Sequence, residues 1–172
     1  MNYIYNLILR LITAFLIVIF GSNILFKILF LPMLYLSYFL LLPYQPMLLN
    51  NLLIIGTNQL EFISACIATS AYILLFVLIL LTKDISFIKG IKVFITGFIT
   101  LFFVNMFRIY ILALILIKFD LRLFEALHMF FWQVFSTAFV LLLWIGLTKY
   151  FKIKTIPIYS DFKYLKEHIK IS

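Results

Sequence analysis

The sequence reads as an all-α integral membrane protein, a bundle of about five transmembrane helices, with four as the other possible count. Three observations carry that reading. Of 172 residues, 66% are apolar and 12% charged, and mean hydropathy is +1.22; soluble domains average about 45–50% apolar and about 25% charged. The 21 Phe, 10 Tyr and 2 Trp exclude a disordered chain. Charge-free apolar stretches also recur at the length of about 20 residues that a helix needs to cross a bilayer.

The first span is expected over about 7–26, ended by Lys27. A second is expected over 28–42, closed by the turn signal Leu42-Pro43-Tyr44-Gln45-Pro46. Asn50, Asn51, Thr57, Asn58 and Gln59 dilute the apolar run beyond that turn, so a short extracytoplasmic segment is expected before the third span. Within it, Leu52 to Thr57 read equally as a short strand or as a turn lying on the membrane. The remaining spans are 62–82, 93–117 (interrupted only by Arg108) and 126–148. The transmembrane domain is therefore 1–148, followed by a basic cytoplasmic tail, 149–172. In the four-span alternative, Arg10 lies inside and 28–60 is partly re-entrant. The start lacks a basic leader and a small-x-small cleavage site, so the first apolar segment is expected to stay as an anchor.

The formal charge of +8 comes from 14 basic and 6 acidic residues. The positive-inside rule explains it without any nucleic-acid partner. Lys83, Lys89 and Lys92 outweigh Asp84 in one loop, and six lysines outweigh Asp161 and Glu167 in the tail. In the loop after 117, Lys118 and Arg122 are balanced by Asp120 and Glu125. The two basic segments are expected in the cytoplasm and the neutral loop outside. In 161–171, Phe162, Leu165 and Ile169 share one side of a helix with lysines opposite, as in a segment lying on anionic membrane lipids. The single cysteine excludes an internal disulfide. With only His128 and His168 beside it, no metal site and no cofactor is expected.

In a chain this apolar, reactive side chains at membrane depth carry the functional information. Cys66 lies four residues into its span, roughly 6 Å deep at 1.5 Å per residue. His128 is two residues into the last span. Arg108 lies nine residues before the outer end of its helix. Topology thus brings three reactive types, from three helices, to the extracytoplasmic face. A charge within the core costs about 2.5–3.5 kcal/mol on insertion scales, which disfavours chance retention. Asn105, one turn before Arg108, is expected to hydrogen-bond the guanidinium. Ser70, one turn after Cys66, is expected to join Thr69 in a polar stripe facing protein.

This set suits acyl transfer through a thiol. Cysteine attacks as the thiolate, which an adjacent imidazole or guanidinium favours. His128 is suited to take the thiol proton and return it to the leaving amine. Arg108 is suited to stabilise the oxyanion of the tetrahedral intermediate. Two other classes compete. A non-catalytic small subunit of a larger envelope complex would use Arg108 and Asn105 to hold a partner helix. A transporter would need polar groups continuing to the cytoplasmic face, where the spans offer almost none.

The stretch Glu61-Phe62-Ile63-Ser64-Ala65-Cys66, the motif Asn105-Met106-Phe107-Arg108 and the later His128 resemble the exosortase/archaeosortase family of membrane-embedded cysteine transpeptidases. The resemblance covers about residues 48–148. It implies Cys66 as nucleophile, with Arg108 and His128 as catalytic partners. It also implies as substrates membrane-anchored secreted proteins ending in a short motif, one spanning helix and a basic cluster. The new C-terminus would pass to a lipid or envelope acceptor. The implied location is the plasma membrane of a prokaryote, with the site on the extracytoplasmic side. One departure stands out: many members follow Ala-Cys with Ser-Gly, whereas Cys66 is followed here by Ile67-Ala68.

Overall fold

A computed structural model describes residues 3–83, 85–153 and 157. The expected amphipathic stretch 161–171 lies outside the described residues. The described chain is mostly helical, with three helices long and apolar enough to cross a membrane: Ile4–Leu40, Phe87–Lys118 and Leu121–Tyr150. The fourth apolar helix, Thr69–Leu80, is shorter.

Helix α1 runs unbroken from Tyr3 to Leu40. The expected division into spans 7–26 and 28–42 is therefore corrected to one helix. Lys27 does not end it, because a charged side chain projecting from the helix interrupts no backbone bond. Pro32 is also carried inside the helix, as apolar helices tolerate when neighbouring groups satisfy the freed carbonyl. At about 1.5 Å per residue, α1 is long enough to cross a bilayer with a wide margin. The break comes at the proline cluster, where Leu42–Tyr44 form a single 3₁₀ turn and Gln45 takes a left-handed conformation.

The segment left open between strand and turn is a three-stranded antiparallel meander, β1 (Met47–Leu49), β2 (Leu52–Ile55) and β3 (Asn58–Glu61), in the order β1-β2-β3. The all-α expectation is corrected to that extent. Leu49 pairs with Leu52 across the Asn50-Asn51 turn, and Ile55 pairs with Asn58 across Gly56-Thr57. Asn50 and Gly56 have φ of 54° and 61°, the left-handed values that two-residue hairpin turns need. Leu53 and Leu60, directly opposite each other, are both buried. Asn58 Nδ2 donates to the Leu116 carbonyl at 3.0 Å, which ties the sheet to the C-terminal end of the helix that carries Arg108.

Two short pieces replace the expected span 62–82: α2 (Ser64–Ile67) and α3 (Thr69–Leu80), separated by Ala68. Helix α4 covers Phe87–Lys118. After Phe119, Asp120 caps α5 (Leu121–Phe130) by accepting from the Leu123 amide at 2.8 Å. That cap starts the helix five residues before the expected 126, as Asp at such a position commonly does. A π-helical turn, Phe131–Phe135, joins α5 to α6 (Ser136–Tyr150).

The polarity is that of a protein in an apolar solvent. Phe103 and Phe107 of α4 are each 65% exposed, while Asn105 and Arg108 of the same helix are 5% and 4% exposed. Long exposed apolar faces of this kind mark contact with lipid or protein rather than water. Lys89 Nζ donates to the Lys152 carbonyl at 3.4 Å, so the N-terminal end of α4 meets the C-terminal end of α6. The sheet thus lies at one end of the bundle, and Lys89 and Lys152 lie at the other.

Candidate functional site

The site is built around the helix break at Ala68. This residue has φ 57° and ψ 39°, a left-handed conformation that costs a non-glycine residue roughly 1–2 kcal/mol. The break ends α2 after one turn, so the carbonyls of Ala65 and Cys66 lose the acceptor role they would have in a continuous helix. Two side chains of α4 replace the missing donors. Arg108 Nη2 donates to the Ala65 carbonyl at 2.8 Å, and Asn105 Nδ2 donates to the Cys66 carbonyl at 2.9 Å. Asn105 and Arg108, three residues apart on α4, therefore grip the backbone on either side of the cysteine side chain. Asn105 Nδ2 also contacts Met33 Sδ of α1 at 3.4 Å.

The thiol is positioned from the sheet. β3 runs through the buried Phe62 into α2, and Phe62 N donates to the Asn51 carbonyl at 2.9 Å. Cys66 Sγ lies 3.5 Å from the Glu61 carbonyl, to which it donates. Asn51 Nδ2 donates to Glu61 Oε1 at 3.0 Å, holding the β3 end against its hairpin. A short strand is thereby coupled directly to the turn that presents the cysteine.

The other side of Arg108 meets the π turn. Nη1 donates to Ser136 Oγ at 3.2 Å, and Ser136 Oγ donates to the Phe131 carbonyl at 2.7 Å, across the wide turn. π turns occur preferentially at functional sites, where the extra residue re-aims the next helical turn. His128 lies one turn before Phe131, half-buried, with its ring centroid 5.6 Å from that of Phe124. Among the described residues no hydrogen bond joins Cys66 to His128.

The structure thus brings Cys66, Asn105 and Arg108 into one connected set, while the ring contact of His128 is with Phe124 on its own helix. Two expectations need correction. Asn105 bonds the Cys66 carbonyl and Met33, not the Arg108 guanidinium. Ser70 is exposed and outside the set, because the break at Ala68 rotates it away from the face it would share with Cys66 in a continuous helix. Thr69 is buried, its hydroxyl 3.1 Å from that of Ser22 on α1. Ser136 is a site residue that the sequence reading does not find, although it is one of few hydroxyl-bearing residues in an apolar span. The π turn adds a residue, which shifts a helical-wheel projection from His128 by about 100°. Among the described residues, no group of three or more His, Cys, Asp or Glu could hold a metal. Comparison with family models, with curated proteins and with solved structures returns no match.

Proposed function

We propose that this chain is a membrane-embedded cysteine transpeptidase of the kind its motifs resemble, cleaving C-terminal sorting signals of membrane-anchored proteins. The observation that carries the reading is the Arg108 guanidinium. Its Nη2 donates to the carbonyl beside Cys66, and its Nη1 donates to Ser136, whose hydroxyl donates to the Phe131 carbonyl in the turn just after His128. Position 68 supports the resemblance from a second direction. Where many members of that family carry Gly, this chain carries Ala in a backbone conformation that favours glycine.

In the proposed topology the chain crosses four times. Helix α1 leads out, 64–80 lead in, α4 leads out and 121–150 lead in. The sheet and the thiol then face the extracytoplasmic side, and the basic loop and tail face the cytoplasm, as the positive-inside rule requires. A membrane-anchored substrate presents its cleavage motif just outside its own spanning helix, at the level of Cys66.

The chemistry proceeds in two balanced steps. His128 takes the Cys66 proton, and the thiolate adds to the carbonyl carbon of the scissile peptide. As the C–N bond breaks, the imidazolium returns the proton to the leaving amine, leaving a thioester on Cys66. A nucleophile on the lipid or envelope acceptor, deprotonated by His128, displaces the thiol and restores it. A guanidinium has five N–H donors, so two structural bonds leave donors for the oxyanion. Catalytic hydrogen bonds tighten on substrate binding, which is when the thiol would exchange the Glu61 carbonyl for the imidazole.

A second reading has its own observation. Arg108 and Asn105 cap carbonyls of a broken helix, which is a sufficient structural role in a non-catalytic subunit. Co-expression separates the two, using secreted proteins that bear a C-terminal motif, one spanning helix and a basic cluster. With the wild-type chain the tail is removed; with Cys66→Ala, equally abundant in the membrane, it is retained. Equal tail removal by both would overturn the transpeptidase reading.

A further inference from the structure

A cavity of about 20 Å³ lies between α3, α4 and the π turn, bordered by Tyr72, Asn105, Arg108, Ser136 and apolar side chains of α4 and α6. Among the described residues, three buried polar atoms have no hydrogen-bond partner: the Tyr72 hydroxyl, Asn105 Oδ1 and Arg108 Nε. All three belong to residues that line this one cavity. Tyr72 is 1% exposed, and the other two residues are also more than nine-tenths buried. A buried polar atom without a partner has given up its bond to water and gained nothing in return. Three at one place call for a common ligand.

The chemistry of the three atoms defines it. Arg108 Nε–H donates only, Asn105 Oδ1 accepts only, and the Tyr72 hydroxyl does either. A ligand with two donors and two acceptor lone pairs satisfies all of them. A water-sized site needs at least about 10–15 Å³ and two to four polar partners; this cavity meets both conditions.

We propose that the cavity holds one structural water, accepting from Arg108 Nε–H, donating to Asn105 Oδ1 and exchanging its remaining bond with the Tyr72 hydroxyl. Tyr72 then acts as a positioning residue, working through the water. With Nη1 and Nη2 held by Ser136 and Ala65, the water fixes the third edge of the guanidinium and so its plane. The site itself stands on geometry alone; its effect on turnover rests on the transpeptidase reading.

The test uses full-length protein in lipid. A high-resolution structure should show one water about 2.7–3.2 Å from all three atoms. In ¹⁵N-labelled protein the Arg108 Nε–H resonance should be protected from exchange. Tyr72→Phe, which deletes one hydroxyl, should shift that resonance and speed its exchange. It should also lower kcat on a tail peptide about two- to tenfold, the range of one neutral hydrogen bond, at unchanged KM. A dry cavity, direct pairing of the three atoms, or an Nε–H signal indifferent to Tyr72→Phe would each overturn the proposal. If the resonance moves while wild-type protein removes no tail, the water site stands and the transpeptidase reading falls.

Discussion

Around Gly97, α4 meets α3 and α6 through carbon alone; about three turns further along, around Arg108, it meets its neighbours through hydrogen bonds. At Gly97 the helices approach so closely that a Cβ would lie 2.6 Å from Leu75 Cδ2 and 3.0 Å from Leu147 Cδ1. Both leucines and Val93 are buried there. At Arg108 the contacts are to a main-chain carbonyl of α2 and the Ser136 hydroxyl. A small residue permitting close approach is the ordinary means by which helices associate in lipid. The guanidinium layer costs desolvation that the Gly97 layer avoids. Its retention, at the break that presents the only cysteine, is the reason to assign function to that end of the bundle.

Substitutions in the two layers should fail differently. The largest expected effect is Arg108→Lys. An ammonium cannot reproduce the planar fork that spans Ala65 and Ser136, so turnover of a tail peptide in detergent should fall on the order of 100–1000-fold, the usual loss for an oxyanion donor. Near-wild-type turnover would assign Arg108 to capping alone and erase the functional contrast between the layers. Next comes Gly97→Val. Overpacking against Leu75 should cost about 1–3 kcal/mol, read as a lower unfolding midpoint in detergent, with the turnover of the folded fraction largely kept. A midpoint that does not move would mean that the close approach at Gly97 contributes little.

The smallest effect is expected at the hinge between α2 and α3. Ala68→Gly removes a left-handed strain of about 1–2 kcal/mol but adds freedom to the unfolded chain, for a net gain of up to about 1 kcal/mol. Chemical unfolding in mixed micelles measures it. A loss of stability instead would show that the methyl group of Ala68, which borders the cavity, contributes more by packing than the strain costs.

The contrast also explains how much could be read in the residues alone. Apolar runs and buried charge are one-dimensional signals, so the helical class and the placement of Cys66 and Arg108 together were legible. The proline cluster at 43–46, expected to close a second span, marks a real break, which closes the single helix α1. Lys27 misled because a long charged side chain looks like a boundary in the sequence while leaving the backbone ladder intact. Ser70 is misplaced and Ser136 is missed for one reason. Each lies just beyond a local departure from α-helical geometry, Ala68 in one case and the π turn in the other, and wheel projections assume a constant period. The meander was partly legible in Asn50-Asn51 and Gly56-Thr57, yet strands of three or four residues are too short for alternation to decide.

The central claim is that the polar layer acts as one catalytic unit, and a double-mutant cycle tests it most directly. Turnover of a tail peptide would be measured for wild type, Arg108→Lys, His128→Gln and the double variant, each checked for equal folding. Residues that serve one transition state are strongly non-additive. The expected result is a double variant little slower than the slower single variant, with uncleaved substrate co-purifying with His128→Gln. Losses that multiply would contradict the claim, because Arg108 and His128 would then be acting independently.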